Sequence, residues 1–199
     1  GRTGFYTSAE ASPLERHLYA IGFDGTGKRR LTEARGTHSV DFSPSGDWYI
    51  DRWSNTETPR QVELYSTEAA EDGYARRLEV LEDNQRTVEW VRQNAYSPVE
   101  LFRFTTADGV ELDGSMVRPP DFDPDRRHPV LLSIYGGPGS QQVYDAFATN
   151  GWHQYLAQQG YVVVGLNNRG SGNYGRDFME GVYERLGEHM AIRDLVVQM

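Results

Sequence analysis

A tyrosine followed by a glycine-rich turn is the first place in this chain where chemistry could be carried out. The apolar stretch "HPVLLSIY", residues 128–135, ends in Tyr135 and is followed at once by Gly-Gly-Pro-Gly. Glycines allow a backbone to approach a ligand closely and to adopt positive φ. Such a turn could hold a phosphate, form part of an oxyanion hole, or only bend the chain, and these few residues leave the three uses open.

A second glycine-rich stretch, "GSGNYG" at residues 170–175, matches the dinucleotide-binding pattern G-x-G-x-x-G. Asn167-Asn168-Arg169 separates it from the preceding strand, so its first glycine is not in the tight turn that a pyrophosphate needs. No acidic residue ends a following strand, since Glu188 and Asp194 lie in sequence with a helical pattern. We therefore expect an ordinary loop that Arg169 ties to a neighbouring carboxylate, and a role for Arg169 at a substrate site stays open.

Residue patterns typical of metal, phosphate and nucleophile sites are not found. The chain has no cysteine, its five histidines are scattered without HExxH, and "DGTGKRR" lacks the first glycine of a phosphate-binding loop. We therefore predict no metal and no cofactor. Ser133, Ser140 and Ser171 all lack the flanking glycines of G-x-S-x-G, so any nucleophile, acid and catalytic histidine are expected outside these 199 residues.

Residues 1–93 have the pattern of an all-β region. Short stretches rich in Tyr, Phe, Val and Ile are separated by turn signals such as "DGTG" and "SPSG". Leu18-Tyr19 returns as Leu64-Tyr65, and Arg29-Arg30-Leu31 returns as Arg76-Arg77-Leu78. A repeat of roughly 45 residues with about four strands per unit is typical of propeller blades. A β-sandwich is the alternative.

Residues 94–199 change to an alternating pattern. We predict a strand pair around the turn at Asp108-Gly109, a central strand at "HPVLLSIY" that is covered on both faces, and a second buried strand at "YVVVGLN". Helices are predicted at "DAFATNGWHQYLAQQG", where Trp152, Tyr155 and Leu156 share a face and Gly160 stops the helix, and at "RDFMEGVYERLG" and "HMAIRDLVVQM". This order indicates an α/β domain. The last helix has no stop signal, so we expect the chain to be a piece of a longer protein.

The position of the Tyr135 turn in this order indicates its chemistry. The turn follows the third strand of the α/β region and precedes its first large helix, where an α/β-hydrolase has part of its oxyanion hole. Attack on a carbonyl places negative charge on its oxygen, and fixed donors must already point there. A tyrosine hydroxyl could be one such donor. The alternative is a core tyrosine with an incidental hydrogen bond.

Charge and hydropathy exclude two classes of partner. Acidic residues outnumber basic ones by 29 to 20, which gives a net charge of −9 and argues against a broad nucleic-acid-binding face. The longest apolar runs are far too short to span a bilayer.

The chain resembles the prolyl oligopeptidase family of serine peptidases, and most of all its dipeptidyl peptidase IV branch. The likeness rests on "HPVLLSIYGGPGSQ", "NNRGSGNYGRDF" and "RLGEHMAIRDL", together with "LEDN" at residues 81–84 and the blade-like repeats before it. Family members of the acylaminoacyl-peptidase type usually have histidine where Tyr135 stands, so the tyrosine favours the dipeptidyl peptidase branch.

The resemblance implies the C-terminal blades of a β-propeller at residues 1–93 and the N-terminal portion of an α/β-hydrolase catalytic domain at residues 94–199. It implies a serine exopeptidase that releases X-Pro or X-Ala dipeptides by acyl transfer. Tyr135 would form half of the oxyanion hole with the backbone N–H after the nucleophile. The implied substrates are peptides with Pro or Ala at the second position. Association into a homodimer is left open, and a periplasmic or extracellular location is slightly favoured over a cytoplasmic one. A non-catalytic binding protein and an acylaminoacyl-peptidase or oligopeptidase relative are the alternatives.

Overall fold

The computed structural model describes residues 2–148 and 150–183. The chain forms two compact units, one made of Gly1–Gln93 with Tyr144–Phe147 and the other of Asn94–Val143 with Ala148–Met199. The predicted helix "HMAIRDLVVQM" lies outside the described residues. None of the described helices is both long and apolar enough to cross a membrane.

Two antiparallel sheets and one helix make up the first unit. In each sheet every strand pairs with the next strand along the chain, so both sheets are meanders. The first sheet holds β1 (Thr3–Ser8), β2 (His17–Gly22) and β3 (Arg29–Arg30). The second holds β4 (Thr37–Phe42), β5 (Trp48–Ser54), β6 (Gln61–Ala69) and β7 (Ala75–Glu82), and helix α1 (Gln85–Gln93) follows it.

The sequence repeat relates the last two strands of one meander to the last two strands of the other. Leu18-Tyr19 lies in β2 and Leu64-Tyr65 in β6, while Arg29-Arg30 forms β3 and Arg76-Arg77 lies in β7. We did not predict β7 as a strand. Its residues after Ala75 are all exposed, so it has no buried face that a hydrophobic alternation could reveal.

The two sheets share an apolar core. Leu18, Leu31 and Tyr49 are almost fully buried in it, and Phe5 and Tyr65 pack against them. The Tyr49 and Tyr65 rings are stacked with their centroids 5.3 Å apart. Burial raises the pKa of both phenols above their ordinary range, so both remain protonated in the core.

The segment Tyr144–Phe147 belongs to the first unit because Asp145 is bonded there on several sides. Asp145 is 2% exposed. Its carboxylate accepts hydrogen bonds from the Thr56 amide at 2.9 Å and from Arg35 Nε at 2.7 Å. Its own N–H donates to the Leu14 carbonyl, and its carbonyl accepts from the Thr37 hydroxyl.

The second unit is built on a mixed four-stranded sheet in the order β10-β11-β9-β8. Its strands are β8 (Val99–Thr105), β9 (Glu111–Val117), β10 (Val130–Ser133) and β11 (Val162–Leu166). β8 and β9 form the predicted hairpin, and β10 runs parallel to β11. Helix α2 (Gly151–Gln158) connects β10 to β11, and the short helix α3 (Arg176–Glu180) follows β11.

Helix α2 ends before Gly160 as predicted, but it begins at Gly151 and not at Asp145, where the predicted segment starts, and its predicted apolar face is only partly buried. Asn150 caps the helix by accepting hydrogen bonds from two backbone amides of the first turn, and Gly160 ends it with φ +88°. Leu156 packs into the sheet core. Trp152 and Tyr155 were predicted on the same face, yet both are more than half exposed and stack on each other.

The position of β10 corrects one prediction. Its apolar sequence predicted a central strand covered on both faces. Among the described residues it lies at the edge of the sheet, pairs only with β11, and leaves Val130 51% exposed. An apolar run reports the tendency of a strand to be covered and carries no information about its lateral place in the sheet.

The bonds of Asp145 predict a large stability effect. Asp145→Ala leaves the Thr56 N–H buried without its acceptor and removes the ion pair with Arg35. We expect the free energy of unfolding of the full-length protein to fall by about 2–4 kcal/mol in urea unfolding followed by tryptophan fluorescence.

The matched control is Asp41→Ala, which removes a carboxylate from an exposed ion pair with Arg52. Its cost should stay below about 0.5 kcal/mol. Equal stability of the two variants would contradict the proposed importance of the buried bonds of Asp145.

Candidate functional site

The two glycine-rich stretches leave the sheet from the same edge. β10 and β11 are parallel neighbours, so their carboxyl ends lie side by side. We call residues 134–143, which follow β10, the first loop, and residues 167–175, which follow β11, the second loop. Ligand sites of open α/β sheets form at this end of the strands, which makes the pair of loops the candidate site.

Tyr135 lies in the first loop, two residues beyond the end of β10. Its side chain is 57% exposed. Gly136 has φ +74°, which favours glycine there. A Cβ on Gly137 would lie 2.8 Å from Cε1 of Tyr135, so glycine at 137 allows the ring to rest against the backbone. The turn therefore presents an accessible phenol beside a closely packed backbone.

The second loop bonds directly to the first. The Gly139 N–H donates to the Gly170 carbonyl at 2.8 Å, and the Gly172 N–H donates to the Ser140 carbonyl at 3.4 Å. The amide Nδ2 of Asn173 donates to Oε1 of Gln141 at 2.7 Å. Three successive residues of the first loop are thus held by the second loop.

Asn167, the first residue of the second loop, also bonds to the first loop, at the last two residues of that loop. It is fully buried. Its Oδ1 accepts hydrogen bonds from the backbone amides of Gln142 at 3.0 Å and Val143 at 2.9 Å. Its Nδ2 donates to the Val143 carbonyl and to the Tyr174 hydroxyl, both at 2.9 Å. One side chain therefore satisfies both backbone groups of Val143.

Tyr174 connects this amide to the sheet. Its hydroxyl donates to Oδ2 of Asp113 at 2.7 Å, and Asp113 on β9 accepts hydrogen bonds from the Arg103 guanidinium on β8. Burial raises the pKa of Tyr174 above its ordinary range, and the hydrogen bond to Asp113 acts in the same direction. The hydroxyl therefore stays a donor throughout the physiological pH range.

Arg169 makes the bond that the sequence predicted. Its two terminal nitrogens donate to the two oxygens of Asp108 at 2.7 and 2.6 Å, which confirms a loop tied to a neighbouring carboxylate. The guanidinium, together with the Thr106 hydroxyl, holds the pKa of Asp108 well below its usual range. Arg169 thus joins the second loop to the β8–β9 turn.

The glycines of the second loop approach protein atoms. A Cβ on Gly170 would lie 2.6 Å from Cγ2 of Val182, and one on Gly172 would lie 3.1 Å from the Gly139 carbonyl oxygen. This close packing against other protein atoms gives a physical reason for glycine at both positions. Among the described residues no group of three acidic or histidine side chains could hold a metal.

Two residues that bond the loops of this site to each other and to the sheet, Asn167 and Tyr174, were not singled out from the sequence. Asn167 served there only as part of a spacer, and Tyr174 only as one letter of the glycine pattern. The one available signal is an asparagine directly after a buried strand, because a polar side chain at that point must find partners close to the sheet.

Models of two protein families match separate parts of the chain. The "Dipeptidyl peptidase IV (DPP IV) N-terminal region" matches residues 1–60, and the "Prolyl oligopeptidase family" matches residues 147–197. Tyr135 lies between the two matched ranges.

Relatives and a solved structure match nearly the whole chain. A probable dipeptidyl-aminopeptidase B of Trichophyton verrucosum is 33% identical over 94% of the chain and 20% of that protein. Human dipeptidyl peptidase 8 is 32% identical over 98% of the chain and 22% of that protein. The crystal structure of Porphyromonas gingivalis dipeptidyl peptidase 4 matches with a TM-score of 0.83 and 37% identity, over 94% of this chain and 26% of the other.

These matches confirm the predicted fold class, which is β-propeller blades followed by the N-terminal part of an α/β-hydrolase domain. The chain spans about one fifth of the length of the curated relatives.

The bond between Arg169 and Asp108 predicts a pH-dependent contribution to stability. A carboxylate whose pKa is lowered on folding stabilises the fold fully above its unfolded pKa of about 3.9 and loses that contribution as the pH falls further. The difference in melting temperature between wild type and Asp108→Asn should be constant from pH 5 to 8 and shrink below about pH 4.

Arg169→Leu provides the control for this measurement. In its background the decrease of that difference at low pH should be clearly smaller, because the guanidinium that is the main cause of the lowered carboxyl pKa is gone and the Thr106 hydroxyl remains. An equally large decrease in both backgrounds would contradict the assignment to Arg169.

Proposed function

Because the chain belongs to the prolyl oligopeptidase family, in its dipeptidyl peptidase IV-like branch, we propose that it is part of a serine exopeptidase. The full-length enzyme removes X-Pro or X-Ala dipeptides from the free amino terminus of peptides. The observation that carries the proposal is the exposed Tyr135, placed after the third strand of the α/β unit on a loop that the second loop holds.

The proposed chemistry is acyl transfer. A serine outside this chain attacks the carbonyl carbon of the second residue while a histidine, also outside it, takes the hydroxyl proton, and the C=O π electrons move onto the oxygen to form an oxyanion. When this intermediate collapses, the bond to the nitrogen of the third residue breaks, that nitrogen takes the proton from the histidine, and water then hydrolyses the acyl-enzyme to release the dipeptide. The Tyr135 hydroxyl donates a hydrogen bond to that oxyanion, and the backbone N–H after the nucleophile is the second donor. This hydrogen bond helps most when the charge on the oxygen is fully developed, so it favours the transition state over the ground state.

The same proposal assigns the two parts of the chain. Residues 1–93 are the C-terminal blades of a propeller, which the antiparallel meanders and their shared repeat support. Residues 94–199 begin the catalytic domain. The substrates are peptides with Pro or Ala in the second position, and a homodimer is part of the same proposal.

Tyr135→Phe in the full-length protein tests the role of the phenol. Loss of one oxyanion donor typically lowers kcat by about 10²–10³-fold, and we expect a fall of this order with KM changed by less than about twofold. Steady-state hydrolysis of a chromogenic X-Pro substrate measures both constants.

Tyr155→Phe is the matched control, because Tyr155 is an equally exposed phenol on α2 of the same unit. It should keep the wild-type kcat. A Tyr135→Phe enzyme with kcat within twofold of wild type would remove Tyr135 from the mechanism.

Substrate requirements separate the proposed exopeptidase from the alternatives. A peptide with a free amino terminus and proline in the second position should release a free dipeptide, detected by mass spectrometry. Its N-acetylated counterpart should be cut at least about 100-fold more slowly, as expected when a site that binds a charged group meets a ligand lacking it. Faster cleavage of the acetylated peptide would favour the acylaminoacyl-peptidase relative, and no cleavage of either would favour a binding protein.

A further inference from the structure

We propose that Asn167 is a positioning residue for Tyr135, acting through the first loop with the help of Tyr174. This inference rests on the proposed function, because it assigns residues that support the proposed oxyanion donor. It also assigns a structural role to the second loop, which is to hold the first loop in a single conformation.

The first loop depends on bonds from outside itself. It contains no helix or strand after Ser133, and every residue from Gly139 to Val143 is bonded to the second loop. Backbone without regular structure keeps a single conformation only where such bonds offset the loss of conformational entropy.

The Asn167 amide is suited to this task because all its hydrogen-bonding capacity is used. The oxygen accepts two hydrogen bonds and the nitrogen donates two. An uncharged side chain with two donors and an acceptor oxygen meets this pattern, whereas an aspartate has no donor and would bury a charge near Asp113. A shorter side chain would leave the Gln142 and Val143 amides without their acceptor.

Tyr174 fixes the orientation of that amide. Its hydroxyl accepts from Asn167 and donates to Asp113, which the Arg103 guanidinium holds from the neighbouring strand. The chain of bonds therefore runs from two paired strands of the sheet to the far end of the first loop. The near end is fixed by the pairing of β10 with β11.

Between these two anchors lie residues 134–141. Residues 139–141 are bonded to the second loop, whose position Asn167 and Tyr174 fix, and residues 134–138 carry Tyr135 and the two glycines after it. Releasing the far anchor lets this stretch take up more conformations and lowers the fraction of time that the phenol is in place. Catalytic groups need placement to within about 0.5 Å, and a misplacement of 1 Å costs up to about 100-fold in rate. Since the phenol acts on the oxyanion of the transition state, the loss should fall on kcat.

The experiment is a double-mutant cycle in the full-length protein, with kcat and KM measured for a chromogenic X-Pro substrate. Asn167→Ala should lower kcat about tenfold and change KM less than twofold. In the Tyr135→Phe background the same change should lower kcat less than twofold, because the donor whose position it controls is already absent.

Asn168→Ala is the matched control. Asn168 is a buried neighbour of the same type, and its amide donates to the Arg169 carbonyl within the second loop. We expect it to leave kcat within twofold of wild type. This control separates loss of a buried amide from loss of the bonds to the first loop.

Tyr174→Phe gives the same cycle with a smaller perturbation. It keeps the ring, which stacks on Phe178, and removes only the hydroxyl. If circular dichroism shows that Asn167→Ala does not fold, the Tyr174→Phe cycle decides the question, with an expected fall in kcat of about three- to tenfold that disappears in the Tyr135→Phe background.

Two results would overturn the inference. One is a kcat that stays at the wild-type level in Asn167→Ala or, where that variant does not fold, in Tyr174→Phe. The other is a decrease in kcat by the same factor in the wild-type and Tyr135→Phe backgrounds. Failure of the proposed function is a separate result, because there Tyr135→Phe alone would leave kcat at the wild-type level.

Discussion

Four hydrogen bonds made by the buried amide of Asn167 hold the base of the site together. Three of them join the end of one parallel strand to the loop that follows its neighbour and satisfy both backbone groups of the buried Val143, and the fourth binds the Tyr174 hydroxyl. An orphaned buried amide or carbonyl costs about 1–3 kcal/mol, so this arrangement strongly favours one loop conformation. The exposed Tyr135 is placed by that conformation, since the phenol itself is not packed into the core.

The sheet transmits this constraint because β10 and β11 are adjacent and parallel. Their adjacency places both glycine-rich loops at one edge, and the bonds through Tyr174, Asp113 and Arg103 fix the second loop to β9 and β8. A glycine pattern that resembles a dinucleotide fingerprint serves here for close packing of protein against protein. A glycine pattern in a sequence indicates that other atoms approach the backbone closely, but only the structure shows whether those atoms belong to a ligand or to the protein.

The sequence was most informative where the physical cause is local. The β8–β9 hairpin and the stop of α2 at Gly160 were predicted, because turn glycines and helix-ending glycines act over short distances. The tie from Arg169 to a carboxylate was predicted only in kind, since its partner Asp108 lies 61 positions away and was not named. The sequence failed where partners are far apart: Asn167 contacts residues 24 positions away, Tyr174 contacts Asp113 across 61, and Asp145 contacts Thr56 across 89. It also failed for β7 and β10, whose exposure depends on neighbours that a hydrophobic pattern does not reveal.

The most direct test of a preorganised phenol uses two inhibitors that differ in the oxyanion. A dipeptide boronic acid forms a tetrahedral adduct with the catalytic serine and places a negatively charged oxygen where the transition state has one, whereas an aminoacyl pyrrolidide has no atom there. The account predicts that Tyr135→Phe weakens inhibition by the boronic acid about 100-fold and leaves that by the pyrrolidide within twofold. Equal weakening of both inhibitors, or of neither, would contradict it.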